Sequence, residues 1–288
     1  MSTKNENPFP GLRTFDYKEE HLFFGREKHI HDLIKKLELH HFVAVVGTSG
    51  SGKSSLIRAG LLPAIHKGKL GTRTDEWLIA SMKPGNTPLK NLAEALAEKN
   101  VFGSGDETKD ASLYRDLSTL INQSSLGLVQ AVRNLVTGNK RLLILVDQFE
   151  EIFRFADEGA EKNSPESNAF AKLIIDSVRQ RDIPIYVVLT LRSDFLGDCV
   201  RFEGLPEAIN DGHYLVPRLN REQNKSAITG PVDYAHGKIS PRLVQLVIND
   251  LGDNPDQLPV LQHALMRTWD KWTETAEVVN RWIYVIMK

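Results

Sequence analysis

The chain holds one cysteine, Cys199, in 288 residues. That excludes an internal disulfide framework and any metal site built on several thiolates, and leaves Cys199 as a small, partly buried thiol. Long apolar runs are missing as well. None approaches the ~20 residues that cross a bilayer, and the polar start from Met1 to Asn7 lacks the apolar segment of a signal peptide. A cytoplasmic location with no membrane partner is therefore expected. Nor does one sign of charge dominate: 36 Lys and Arg against 37 Asp and Glu give a formal net charge of -1. A strongly basic domain would point to a nucleic-acid backbone; these totals give nucleic acid no support as a partner. What remains is the make-up of a globular protein, 41% hydrophobic and 25% charged, long enough for one or two domains with a buried core.

Asn7-Pro8-Phe9-Pro10-Gly11-Leu12 is too rich in proline and glycine for a regular element and reads as an extended arm, with Phe9, Leu12 and Phe15 as its anchors. Ile30, Leu33, Ile34 and Leu37 recur at helical spacing and predict an amphipathic helix over Glu27 to Leu39. Phe42 to Val46 predicts a buried strand, and Ser54 to Leu62 a helix that Pro63 should end or kink. Further strands are expected at Trp77 to Ala80, Leu142 to Val146, Ile185 to Leu191 and His213 to Val216. Helical patterns lie between them, at roughly Pro88 to Glu98, Ala111 to Ile121, Leu126 to Val136 and Phe170 to Arg179. Glu158 to Ser167, polar and containing Ser164-Pro165, reads as a surface loop.

Strands that are apolar along their whole length and separated by helices imply an α/β fold, a mostly parallel sheet covered by helices on both faces. After Pro217 the pattern turns helical, at Glu222 to Ile228, Pro241 to Leu251 and Pro259 to Trp272. The expected organisation is an N-terminal arm and hinge over 1–26, an α/β core over 27–217, and a small helical subdomain over 218–288 that can close over a ligand at the sheet edge. Val278 to Lys288 is apolar and lacks a capping glycine or polar tail, so the subdomain is expected to be incomplete at its C-terminus.

Between the first strand and its helix stands Gly47-Thr48-Ser49-Gly50-Ser51-Gly52-Lys53-Ser54, the Gly-x-x-x-x-Gly-Lys-Ser pattern of a phosphate-binding loop. Glycines are needed because backbone amides must turn inward around an anion without side-chain obstruction. Lys53 is expected to reach the β and γ phosphates of ATP or GTP, and the Ser54 hydroxyl to ligate Mg2+. Asp147, at the end of a buried strand, emerges at the same carboxyl edge and is the expected second magnesium ligand; its alternative role is to cap the following helix. The long stretch from Lys53 to Asp147 favours a sheet in which another strand separates the phosphate-loop strand from the magnesium strand.

Glu150 and Glu151 both lie where a base or a group that orients water could sit, and the sequence gives Glu150 only a slight preference. Gln148 follows Asp147 directly, so slow hydrolysis is expected. Arg192, closing the Ile185 to Leu191 strand, can read the γ phosphate by charge; its alternative is a salt bridge to Asp194 or to a surface acid.

Several segments in order resemble the novel STAND NTPase module, signal-transduction ATPases with numerous domains, within the AAA+-related P-loop NTPases. They are Asn7 to Arg13, Phe23-Phe24-Gly25-Arg26-Glu27, Gly47 to Ser54 extended by Ser55 to Pro63, Lys83-Pro84-Gly85, Val146 to Glu151, Leu191 to Phe195, and Leu258 to Leu265. The resemblance implies that Phe24, Gly25 and Arg26 line a base pocket, that Asp147 holds magnesium, that Arg192 is a sensor, and that Pro259 packs on adenine. With Gly47 to Ser55 these residues form the expected nucleotide site. It further implies a switch held inactive with ADP and converted by ATP into a self-associating form, in bacterial signalling or defence, with sensor and effector domains outside this chain. The competing expectations are a non-catalytic module that keeps its nucleotide as a structural ligand, and a P-loop kinase acting on a small molecule.

Overall fold

The computed structural model describes residues 7–72, 74–154, 164–251 and 257–275. The described residues form two compact units, one drawn from Leu33–Gly47 and Ile65–Leu215, the other from Met1–Asp32, Thr48–Ala64 and Val216–Lys288.

The first unit is built on five parallel strands: β1 (Phe42–Gly47), β2 (Glu76–Met82), β3 (Lys140–Val146), β4 (Ile185–Arg192) and β5 (His213–Leu215). Their order is β2-β3-β4-β1-β5, so β4 is the strand expected between the phosphate-loop strand and the strand that ends at Asp147. Ala44, Val46, Leu142, Ile144, Val187 and Leu189 face one core, shared with the helices Pro88–Leu96, Glu107–Gln123, Gly127–Leu135, Pro165–Arg179 and Leu205–Gly212. The alternate residues Val43, Val45, Leu143, Leu145 and Val188 are buried too, and helices flank the sheet on both sides. Burial on both faces is why these strands read as unbroken apolar runs. Each fully buried Val, Leu or Ile side chain contributes about 1.5–3 kcal/mol. Cys199 is also buried, and burial with Asp198 nearby pushes its thiol up to about 12.

Several local expectations change. Ser164-Pro165 opens a helix instead of closing a loop: the Ser164 side chain accepts from the Ser167 amide, and Pro165 takes the first helical position, where its missing N–H is no loss. Pro63 does not end its helix. Lys53–Ser55 runs through a π-helical turn, Leu56–Leu61, into Leu62–His66, and the Leu62 amide reaches the Ile57 carbonyl. This widened turn carries the helix past a residue that has no amide to give. Short 3-10 helices at Tyr17–Leu22 and Ser193–Arg201 were not foreseen, because each is too brief to show a period.

In the second unit the helices Arg221–Tyr234, Pro241–Asp250 and Gln257–Thr275 close around Ile228, Val232, Val244, Val247, Leu261, Leu265 and Trp269. Phe9 enters the same core, and the Asn7 amide ties the arm to the Met266 carbonyl and the Asp270 carboxylate at 2.9 and 2.8 Å. Phe15 is buried as an anchor, edge-on to Phe23. Leu12 is not an anchor: it is 67% exposed, following the left-handed turn at Gly11 that brings the backbone against Met266. Val278 to Lys288 and most of Glu158 to Ser167 lie outside the described residues. No described helix is long and apolar enough to cross a membrane.

His41, just before β1, offers a test of the packing at the opposite end of the sheet. Its φ is +56°, its ring lies on Tyr186 at 4.2 Å, and burial, then Arg181 and Arg141, lower its pKa from 6.5 to about 4. A folded value below the unfolded one means the unfolded chain protonates first. The stability from the neutral ring is therefore complete above about 6.5 and is lost as pH falls towards about 4. Asparagine tolerates a left-handed backbone, so His41→Asn should lose stability less steeply than the wild type across this window in denaturant titrations. Equal slopes would exclude His41 as a source of acid lability.

Candidate nucleotide site

The phosphate loop leaves β1 directly at Gly47. Gly50 and Gly52 have φ of +72° and +85°, the left-handed region in which any side chain is strained, so glycine is required at both. Thr48 and Ser49 are exposed and Ser51 is buried. The Thr48 carbonyl accepts from the Ser51 hydroxyl at 2.9 Å and from the Lys53 ammonium at 2.7 Å, and the Gly52 carbonyl accepts the Leu56 amide at 2.8 Å. The loop is thus closed on itself and passes directly into a helix, whose positive end favours an anion. The Ser55 hydroxyl is engaged with the arm, accepting the Phe15 amide at 3.2 Å.

Within the same compact unit, Arg26 is only 4% exposed. A buried guanidinium must donate its hydrogens. It gives one to the Ser51 carbonyl at 3.2 Å and one to the Pro217 carbonyl at 2.7 Å, and it meets His29 Nδ1 at 3.0 Å. Since arginine only donates, Nδ1 is the acceptor and His29 is neutral, in keeping with a pKa lowered by burial and then by the Arg26 charge. Gly25, at φ +84°, lies against the Gln223 carbonyl oxygen, and Gly230 leaves room for the Phe24 ring. The Phe24-Gly25-Arg26 segment is therefore packed among the phosphate loop, residue 217 and the helix Arg221–Tyr234. Pro259 is partly buried in the first turn of Gln257–Thr275, next to an exposed Val260.

In the sheet unit, the carboxyl ends of β3 and β4 bring together Asp147, Glu150 and Arg192. Asp147 is buried and accepts the Thr190 hydroxyl at 2.7 Å; the same hydroxyl accepts the Gln148 amide at 2.8 Å. Gln148 is left-handed, with φ +58°, and this sharp turn sends Glu150 back towards β4. The buried Glu150 carboxylate accepts the Arg192 amide at 3.3 Å. Glu151 departs in another direction, accepting the Gly85 amide at 3.2 Å beyond β2. The Arg192 guanidinium pairs with Asp194 through two bonds, 3.1 and 2.6 Å, with its Cζ 5.5 Å from the Phe195 ring centre.

Thr190 was missed as a site residue. Its signal was a hydroxyl inside an otherwise apolar strand, and such a group needs a partner when buried. Removing it in Thr190→Val takes one bond from Asp147 and one from Gln148. We expect a loss of about 1–3 kcal/mol in denaturant unfolding, with Thr190→Ser close to wild type. A valine variant of wild-type stability would show that the hydroxyl does not hold this turn.

Solved structures of similar fold include the Aeropyrum pernix ORC2 protein in ADPNP-ADP complexes, at TM-score 0.59 and 15% identity over 91% of this chain and 66% of that one. The E. coli MS115-1 HORMA:CdnC:Trip13 complex matches at 0.57 and 14%, over 99% of this chain and 95% of the other. Domain III of the Thermotoga maritima replication initiation protein DnaA matches at 0.55 and 11%, over 93% and 94%. Likeness at these identities establishes the fold. No curated protein matches the sequence. The family model described as Novel STAND NTPase 1 matches residues 8–284, and with a parallel sheet that delivers a glycine-stabilised phosphate loop, the chain belongs to that family of nucleotide-binding regulatory NTPase modules.

Proposed function

We propose that this chain is an ATP-controlled switch that binds ATP with magnesium, hydrolyses it slowly to ADP and phosphate, and changes its self-association with the nucleotide held. The observation that carries this reading is the loop itself. It is closed by its own hydrogen bonds, with two left-handed glycines, and it begins at Gly47, which pairs in register with Arg192. Gly47 thus ends its strand at the carboxyl end of the sheet, where Asp147 and Glu150 also stand.

In this reading Gly47, Thr48, Ser49, Gly50, Ser51 and Gly52 offer backbone amides to the phosphates, Lys53 supplies a charge to them, and Ser55 extends the cradle. Phe24, Gly25, Arg26 and Pro259 form the adenine side. Ser54 and Asp147 would hold magnesium; a hydroxyl and a carboxylate are the hard oxygen donors that this ion takes. The ion would neutralise charge on the phosphates. Glu150 is favoured over Glu151 as the group that orients water, because it is buried and fixed by the Arg192 amide, whereas Glu151 is tied to Gly85. Arg192 reads the γ phosphate. Sensor and effector domains lie in other segments or partners, in a bacterial signalling or defence setting. The left-handed Gln148 directly after Asp147, where an acid would be the more usual catalyst, also suits a second reading in which the nucleotide is mainly a structural ligand.

Lys53→Ala removes a charge-assisted hydrogen bond worth about 1.5–3 kcal/mol, so ATP affinity in calorimetry should fall roughly ten- to hundredfold. If it does not change, the nucleotide reading is wrong. Glu150→Gln should keep ATP affinity and lose single-turnover hydrolysis, while Glu151→Gln keeps both. Wild-type hydrolysis no faster than that of Glu150→Gln would favour the structural-ligand reading.

A further inference from the structure

The pairing of Arg192 points to a specificity role for its neighbour. We infer that Asp194 is an internal competitor for the Arg192 guanidinium and so sets how strongly ATP is preferred over ADP. This rests on the switch reading, with Arg192 as its γ-phosphate sensor.

The main chain and the side chain of Arg192 are held differently. Its amide is committed to the buried Glu150 carboxylate, and its residue is locked in the β4 ladder opposite Gly47, the first residue of the phosphate loop. Its guanidinium instead lies on Asp194, two residues along, in a fork-to-fork pair from Nε to Oδ1 and from the terminal nitrogen to Oδ2. The two side chains are 33% and 53% exposed. An ion pair in that environment is strong in geometry but weak in net free energy, because water and salt screen it. It can therefore be displaced by a more highly charged anion.

The γ phosphate is such an anion, and ADP lacks it. A bidentate carboxylate and a phosphate compete for the same edge of N–H donors. Phe195 lies alongside the guanidinium, 5.5 Å from Cζ, and offers it an apolar wall in the paired position. ATP must break this pair to engage Arg192, and the free energy of breaking it is subtracted from ATP binding alone. Asp194 thereby lowers discrimination between ATP and ADP and keeps Arg192 ordered when ADP is held. Loss of the carboxylate charge should make the switch respond to less ATP.

The test compares ATP and ADP dissociation constants, with magnesium, for wild type, Asp194→Asn, Arg192→Gln and the double variant. Asp194→Asn should raise the ratio of ATP to ADP affinity about two- to fivefold, the range of an exposed ion pair, with ADP affinity unchanged. Asp194→Ser should do the same, which separates loss of charge from any effect of the amide. In the Arg192→Gln background the Asp194 change should have no effect, since the partner it competes for is gone. An unchanged ratio in both Asp194 variants, or an equal rise with and without Arg192, overturns the inference. Wild-type protein that binds neither nucleotide would instead overturn the switch reading beneath it.

Discussion

A parallel strand buried on both faces has room for polar side chains only where it ends, and β4 is such a strand on two sides at once. It lies between β1 and β3, and its residues from Ile185 to Leu191 are withdrawn from water. A polar residue near the end of that run, Thr190, spends its hydroxyl on Asp147 and on the Gln148 amide. The next polar residue, Arg192, stands beside Gly47, and its amide goes to Glu150. Through one strand, the acid that ends β3, the sharp turn after it and the start of the phosphate loop are all brought to one edge. Shifting this strand by one residue would turn Thr190 to the opposite face, away from Asp147, so the register that fills the core also sets the polar groups.

A different constraint governs the unit that holds the phosphate loop. Arg26 is charged and almost wholly buried, a state that is costly unless every donor finds an acceptor. Its partners include backbone carbonyls, at Ser51 and Pro217, and a neutral imidazole, His29. The loop conformation, the entry to the helical segment and the first turn of Glu27–His40 are thus joined through one guanidinium. The glycines at 25 and 230 serve the same junction, since side chains there would meet the Gln223 carbonyl and the Phe24 ring.

Much of this was legible in the chain. The strands could be read because burial on both faces leaves an unbroken apolar signature, and the phosphate loop because its glycines are demanded by backbone conformation. Other features depended on which neighbour a residue would meet. Glu150 and Glu151 are chemically the same and adjacent in sequence; only the left-handed turn at Gln148 sends one to Arg192 and the other to Gly85. Ser164-Pro165 carries turn chemistry and helix-start chemistry equally, and Pro63 is a helix breaker unless the turn before it widens. Leu12 has the composition of an anchor, but the turn at Gly11 leaves it in water.

The amino-acid sequence by itself determined the α/β class, the parallel sheet, the phosphate loop and Asp147 at a strand end, because each follows from local period or backbone demand. Tertiary structure decided the partners: Thr190 for Asp147, Glu150 for the Arg192 amide, Asp194 for the Arg192 guanidinium, and backbone carbonyls for Arg26. All but one of these pairings join residues more than twenty positions apart, where no local rule reaches. The exception, Arg192 with Asp194, is local, yet its consequence comes from the register that sets Arg192 beside Gly47.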